Sequence, residues 1–363
     1  NQISSGTSFC TFLSGGLDSS LISALCAREM KKQNRRLTTY SFDFTGNDKN
    51  FRSNAFQPSQ DRPYVETMAA FLDTDHHFLE CSTETQTELL KDSVRAHGLP
   101  SMADVDSSLL YFCSQVGMSY EAALTGECAD EIFGGYPWFH REDLLKADTF
   151  PWTADLAPRK LLLSDEFAHA LSMEDYVRNA YETSLAQMPR LEGETGLDAK
   201  RREISWLNLQ WFMETLLNRM DRTSGEWDLT ARVPFADYRI IEYLYNVPWE
   251  MKARKGVIKG LLRDTGWGLL PDEVLFRKKS PYPKTYDKTY ETLLAGRMRE
   301  LLQDSSSPLL PLLDRKKAEK FLEAPSDYGR PWYGQLMAGP QLMAYLLQVD
   351  FWMREYKVEL LLQ

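Results

Sequence analysis

The sequence predicts an α/β fold: a doubly wound parallel sheet with a helical second half packed on it. Three observations carry this. Strand-like and helix-like segments alternate up to Gly135, the pattern of parallel strands joined by helical crossovers. A glycine-rich turn, Ser14-Gly15-Gly16-Leu17-Asp18-Ser19-Ser20, links the first strand to the first helix. After Pro137 helical periodicity takes over. The expected division is an α/β core over 1–136 and a mainly helical part over 137–363 packed on it.

Residues 8–13 (SFCTFL) form a short apolar run with strand character. Residues 19–30 follow as a helix, with Leu21, Ile22, Leu25, Cys26 and Met30 on one face. Residues 37–44 (LTTYSFDF), rich in Thr, Tyr and Phe, read as the second strand. The polar stretch 44–63 reads as a mobile loop, and Pro63 opens a helix over 64–72. Residues 76–81 read as the third strand. Residues 83–97 form a helix capped by Ser82 or Thr83 and stopped at Gly98. A helix over 106–116 and a fourth strand over 121–125 complete the alternation. Helical patterns follow at 173–186, 199–220, 238–245, 256–263, 315–322 and 341–357, with tryptophans clustered in this half as core anchors.

A chain of 363 residues buries a core without disulfide staples. Hydrophobic residues at 43% and charged residues at 26% exclude a disordered or fibrous chain. A formal net charge of −10 argues against a nucleic-acid surface, so an anionic ligand must be held by a local site. No apolar stretch is long enough to cross a membrane. The five cysteines (Cys10, Cys26, Cys81, Cys113 and Cys128) are odd in number, without C-x-x-C spacing, and read as reduced thiols of a cytoplasmic protein. The chain opens on Asn1 with no signal-type segment, as a piece of a longer polypeptide would.

The turn at 14–20 has specific chemistry. Gly15 and Gly16 accept positive φ and let a ligand approach the backbone. The helix that follows offers unpaired N–H groups and a positive dipole end to an anion, and Ser14, Ser19 and Ser20 add hydroxyls. Asp18 beside that anion is repulsive unless a divalent cation bridges the two, and a carboxylate plus phosphate oxygens suits Mg²⁺. The residues therefore predict a Mg²⁺–polyphosphate site. The turn has no Gly-Lys-Ser/Thr, so it is not a Walker A loop. Ser14-Gly15-Gly16-Leu17-Asp18-Ser19 resembles the PP-loop of the ATP pyrophosphatase superfamily, whose members cleave ATP between the α- and β-phosphates.

A second constellation follows strand four: Thr125-Gly126-Glu127-Cys128-Ala129-Asp130-Glu131-Ile132-Phe133-Gly134-Gly135-Tyr136. Three carboxylates within five residues are costly unless a metal or cationic substrate sits among them. Ligands of open α/β sheets bind beyond the carboxyl ends of the strands, so this loop and the first are expected to face one crevice. The stretch is similar to Ser-Gly-Glu-Gly-Ser-Asp-Glu-Val-Phe-Gly-Gly-Tyr of the asparagine synthetase family. Downstream, Ala231-Arg232-Val233-Pro234-Phe235-Ala236-Asp237, Lys259-x-x-Leu262-Arg263, Arg277-Lys278-Lys279 and the last helix with Trp352 resemble later motifs of that family. The resemblance covers nearly the whole chain, least well over 137–215.

The resemblance implies ATP-dependent adenylation of aspartate to β-aspartyl-AMP with loss of pyrophosphate, then attack by ammonia to give asparagine and AMP. It implies that Leu13 and Phe44 line the adenine pocket, and that Ser14, Gly15, Gly16, Ser19 and Ser20 hold pyrophosphate. Asp18 and Asp130 would hold Mg²⁺, Thr125 and Gly126 would contact the adenylate, Glu127 would act as general base, and Lys279 would stabilise charge on the transferring phosphates. Glu131 and Asp237 are candidates for the substrate ammonium and Lys259 for its α-carboxylate; Asp237 also reads as a helix N-cap before Tyr238. The resemblance further implies a glutaminase domain as ammonia source, expected in the same full-length polypeptide and absent from this chain. A homodimer is compatible with this reading.

Three departures from the family pattern stand out. Cys128-Ala129 replaces Gly-Ser, Thr230 replaces Glu before Ala-Arg-Val-Pro, and PSMADVDSS at 100–108 lacks a Thr-Thr-x-Arg pattern. The alternative is a related amide former, a β-lactam synthetase or peptide cyclase, which uses an internal amine; Glu127 is the residue that argues for the ammonia-using reaction. A third reading, a silent nucleotide-binding scaffold, is opposed by the intact Asp18, Asp130, Glu127 and Lys279. His76 and His77 alternate across a strand and cannot chelate one ion, Cys128 has no histidine beside it in sequence, and the aromatic run 136–140 reads as packing under the loop.

Overall fold

The first strand, β1 (Phe9–Phe12), is buried along its whole length, as a central parallel strand must be. It pairs with β2 (Thr38–Phe44) on one side and with β4 (Ala122–Leu124) on the other. Beyond these lie β3 (Asp75–Cys81) and β5 (Thr230–Arg232), giving a five-stranded, all-parallel sheet in the order β3-β2-β1-β4-β5. The computed structural model describes residues 3, 6–53, 57–325 and 339–361.

The order reverses at β1, and helices cover both faces. Phe9, Leu13, Ala122 and Leu124 pack with Leu17, Leu21 and Ile22 of helix Leu17–Lys32. Cys10, Phe12 and Ala123 point the other way, onto Leu109, Cys113 and Val116 of helix Asp104–Gly117. Alternate residues of a strand thus feed opposite cores, the doubly wound arrangement expected from the sequence.

The elements differ from the sequence expectation at specific points. The segment 1–136 supplies four of the five strands; β5 comes from beyond it, registering Ala123 against Ala231. The helix expected over 83–97 breaks at Leu89 into Thr83–Glu88 and Leu90–His97, with the Ser82 hydroxyl accepting from the Thr85 N–H at 3.1 Å and Gly98 closing it at φ +73°. The stretch 44–63 contains a one-turn helix, Asn47–Asn50, and residues 54–56 lie outside the described residues. The helix expected over 256–263 runs instead over Gly260–Gly266, because Lys255, Gly256 and Lys259 take positive φ.

In the second half, Gly196–Leu207 continues through a π-helical stretch, Asn208–Phe212, into Met213–Gly225. Helix Lys288–Gln303, absent from the sequence expectation, packs Tyr290, Leu294 and Met298 against Leu342, Met343 and Leu346 of helix Gly339–Glu355. The aromatic run behaves as packing: Trp138 and Phe139 are buried, and Tyr136 stacks on Trp138 at 4.3 Å between ring centres. His76 and His77 do not converge. His76 bonds the hydroxyls of Thr39 and Ser41, and His77 stacks on Tyr40. All five cysteines are free and buried. Among the described residues no helix is long and apolar enough to cross a membrane.

Candidate active site

The loops that leave β1 and β4 lie side by side at the switch in strand order. A Cβ added to Gly126 would stand 2.5 Å from the backbone nitrogen of Ser19, so the two loops touch backbone to backbone. Gly15 is equally constrained: its φ is +68°, and a Cβ there would stand 2.7 Å from that of Tyr64. The loops open onto a cavity of about 330 Å³. Leu13, Ser14, Gly16, Asp18, Ser19, Thr125, Gly126, Glu127, Asp130, Glu131, Lys259 and Lys279 all line it.

The first loop is held by its own groups. The Ser19 hydroxyl accepts from the Ser14 N–H at 3.1 Å and meets the Ser14 hydroxyl at 2.9 Å. Arg277 donates to the Ser14 carbonyl at 3.1 Å, pairs with Asp61, and lies over the Tyr64 ring. Gly16 caps helix Leu17–Lys32, so the free N–H groups of that helix face the cavity, a site for an anion.

Lys259 is the centre of the charge pattern. Its Nζ donates to Asp18 Oδ2 at 2.6 Å and stands 2.5 Å from Asp130 Oδ1. Lys279 pairs with the other oxygen of Asp130, and its Nζ lies 4.4 Å from the centre of the Tyr136 ring. Burial would raise the Asp130 carboxyl, but Lys259 and Lys279 outweigh it and hold it below the usual carboxylate range. Burial pushes the Asp18 carboxyl up, against the pull of Lys259. Asp18 Oδ1 is buried without a hydrogen-bond partner among the described residues. Two carboxylates that already share one cation, one with an uncommitted oxygen, fit a Mg²⁺ ion completed by phosphate oxygens. Among the described residues no three His, Cys, Asp or Glu side chains form a protein-only metal cage.

Glu127 and Glu131 face the cavity from the same loop. Burial pushes the Glu131 carboxyl up to about 7, with Asp130 adding to the rise, and the Tyr136 hydroxyl donates to it at 2.7 Å. Burial also raises the Glu127 carboxyl, against Arg219, whose Nη2 donates to Glu127 Oε1 at 2.5 Å. Cys128 between them has φ +69°, a conformation that favours glycine, and burial holds its thiol far above the usual range.

Some expected residues do not reach the cavity wall. Gly15 packs against Tyr64, and Ser20 is fully buried in helix Leu17–Lys32. Phe44 is buried against Phe112, and Phe42 lines the cavity. Leu13 lines the cavity, but its N–H is committed to the Tyr40 carbonyl at 2.8 Å. Asp237 lies outside the wall. Its Oδ1 accepts from the Arg239 N–H at 3.0 Å, capping helix Tyr238–Asn246, and its carboxylate pairs with the Arg239 side chain. The departure at 100–108 contributes Met102 and Val105 to the wall, whereas Asp104 and Asp106 are buried behind it.

Arg219 is the residue the sequence reasoning missed. Phe212, the last residue of the π-helical stretch, and Leu216, Arg219 and Met220 beyond it form the cavity-facing side of the long helix. The available signal was an arginine set within the apolar stripe Met213, Leu216, Met220.

The asparagine synthase family model matches residues 1–354. The chain is 46% identical over 361 residues to asparagine synthetase [glutamine-hydrolyzing] 3 of Bacillus subtilis (strain 168), covering 99% of this chain and 58% of that protein. It is 25% identical over 327 residues to asparagine synthetase [glutamine-hydrolyzing] 1 of the same organism, covering 82% and 49%. Against the asparagine synthetase [glutamine-hydrolyzing] of Cricetulus griseus the identity is 24% over 277 residues, covering 74% and 38%. The chain thus spans 58%, 49% and 38% of the length of these three curated relatives. On the family match along nearly its whole length, the chain belongs to the asparagine synthase family.

Proposed function

We propose that this chain performs the synthetase reaction of asparagine formation: ATP adenylates the side-chain carboxylate of aspartate, pyrophosphate leaves, and ammonia displaces AMP to give asparagine. The observation that carries this reading is the convergence of Asp18, Asp130, Lys259 and Lys279 beside the N–H groups of helix Leu17–Lys32, in one cavity with Glu127.

Each group then has a task. Ser14, Gly16, Ser19 and the helix N-terminus bind the departing pyrophosphate. Asp18 and Asp130 would hold Mg²⁺, which supplies charge neutralisation on the phosphates when bound. Lys279, on Asp130, stabilises charge that develops on the transferring phosphates, and positioned cations are a large term in such steps. Lys259 keeps the two carboxylates paired until the nucleotide enters. Thr125 and Gly126 border the adenylate, and Glu131 faces the substrate ammonium. Glu127 accepts a proton from the attacking nitrogen. Asp237, held as a helix cap, has no part in this assignment. The ammonia comes from a glutaminase domain in the full-length protein, or from free ammonium.

The test is product analysis with Mg-ATP, L-aspartate and ammonium. Asparagine, AMP and pyrophosphate in equal amounts are expected. AMP and pyrophosphate formation that requires a different carboxylate would replace aspartate as substrate and favour another amide-forming reaction. Absence of pyrophosphate from the full-length protein would reject adenylation.

A further inference from the structure

The Glu127 carboxylate is held by one oxygen only. Oε1 takes the hydrogen bond from Arg219 at 2.5 Å, while Oε2 is buried and has no hydrogen-bond partner among the described residues. Both residues line the cavity, although 92 positions separate them in sequence. The guanidinium itself is fixed from several sides. It is 6% exposed, its Nη1 meets Met102 Sδ at 3.7 Å, and it lies over the Tyr282 ring at 5.8 Å.

We propose that Arg219 is a positioning residue for amide formation: it anchors Oε1 of Glu127 so that Oε2 is presented to the attacking nitrogen. This rests on the function proposed above. In the step concerned, the ammonia lone pair forms a C–N bond to the acyl carbon of β-aspartyl-AMP. The C–O bond to phosphate breaks, AMP leaves with that electron pair, and one N–H proton passes to Glu127 Oε2. An unanchored glutamate side chain samples many rotamers, and a misplacement of 1 Å at such a step costs about 10²-fold in rate. Arg219 is set for this task because its planar fork fixes an orientation that a lysine ammonium does not. With Nη1 and Nη2 already engaged, anchoring of Glu127 explains more of its contacts than direct capture of a substrate carboxylate.

The experiment compares wild type, Arg219→Lys and Arg219→Gln in two assays on the same preparations. One is aspartate-dependent exchange of pyrophosphate into ATP, which reads adenylation. The other is asparagine formation with ammonium, which reads the whole reaction. The expected result is a selective loss. The ratio of asparagine formation to exchange falls about tenfold in Arg219→Lys and about 10²-fold in Arg219→Gln, through kcat and not through the KM for ammonium. A parallel fall in both assays, or an unchanged ratio, overturns the positioning role. Should Arg219→Gln fail to fold, the ratio in Arg219→Lys, which keeps the buried charge, decides alone. Failure of both variants to fold assigns Arg219 to structure and overturns the proposal. Wild type without aspartate-dependent exchange rejects the function itself, a different outcome from exchange that survives with a parallel loss in the variants.

Discussion

Gly126 and Ser19 bring the loops after β4 and β1 into backbone contact, with 2.5 Å between the Ser19 nitrogen and the position a Cβ on Gly126 would take. That crossing leaves no room for a side chain. Gly126→Ala is expected to push the loops apart and to weaken ATP binding at least tenfold. Nucleotide titration of the folded variant checks this, and unchanged affinity would show that the contact yields without cost.

Lys259 is a buried cation shared by Asp18 and Asp130. Lys259→Met leaves Asp18 without its ion pair and is expected to lower stability by about 3–5 kcal/mol in metal-free buffer. Mg²⁺ is expected to restore melting temperature in the variant more than it raises that of wild type. Equal responses to Mg²⁺ would argue against Asp18 and Asp130 as its holders.

Lys279 pairs with Asp130 on the wall of the cavity. Lys279→Ala is expected to raise the adenylation barrier by about 2–4 kcal/mol, roughly 30- to 10³-fold in pyrophosphate exchange. Exchange at the wild-type rate would remove Lys279 from the site.

Burial raises the Asp104 carboxyl to about 6, against the hydrogen bond it accepts from Gln341 at 2.8 Å. A carboxyl whose folded pKa exceeds its unfolded value binds more protons in the folded state between the two. Its contribution is complete below about pH 4 and is lost as pH rises through about 6. Asp104→Asn removes that loss and keeps an acceptor for Gln341. The variant is therefore expected to melt higher than wild type at pH 7.5, with the difference disappearing at pH 4. A difference that does not depend on pH would reject the assignment.

Asp237→Ala tests a residue that sequence reasoning placed near the substrate. As a cap on helix Tyr238–Asn246 it is expected to cost about 1–2 °C in melting temperature and to leave the KM for aspartate within about twofold. A large rise in that KM would return Asp237 to the substrate site.

Four of the five strands, the two loops that follow β1 and β4, and the carboxylates those loops carry are legible in the sequence, because each is written in consecutive residues. Alternation, glycine at a forced turn and the crowding of Glu127, Asp130 and Glu131 are local signals. The remaining features depend on contacts between distant parts of the chain. Strand β5 lies in the half where helical patterns dominate, outside the strand–helix alternation, and it is defined by its pairing with β4. The pairing of Arg219 with Glu127 spans 92 residues, and helical periodicity tells which face a residue occupies but not which charge it meets. Lys259 reads from sequence as a substrate cation. In the fold its positive φ and full burial place it between Asp18 and Asp130, because two buried carboxylates in one crevice require a counter-charge and packing selects which lysine supplies it.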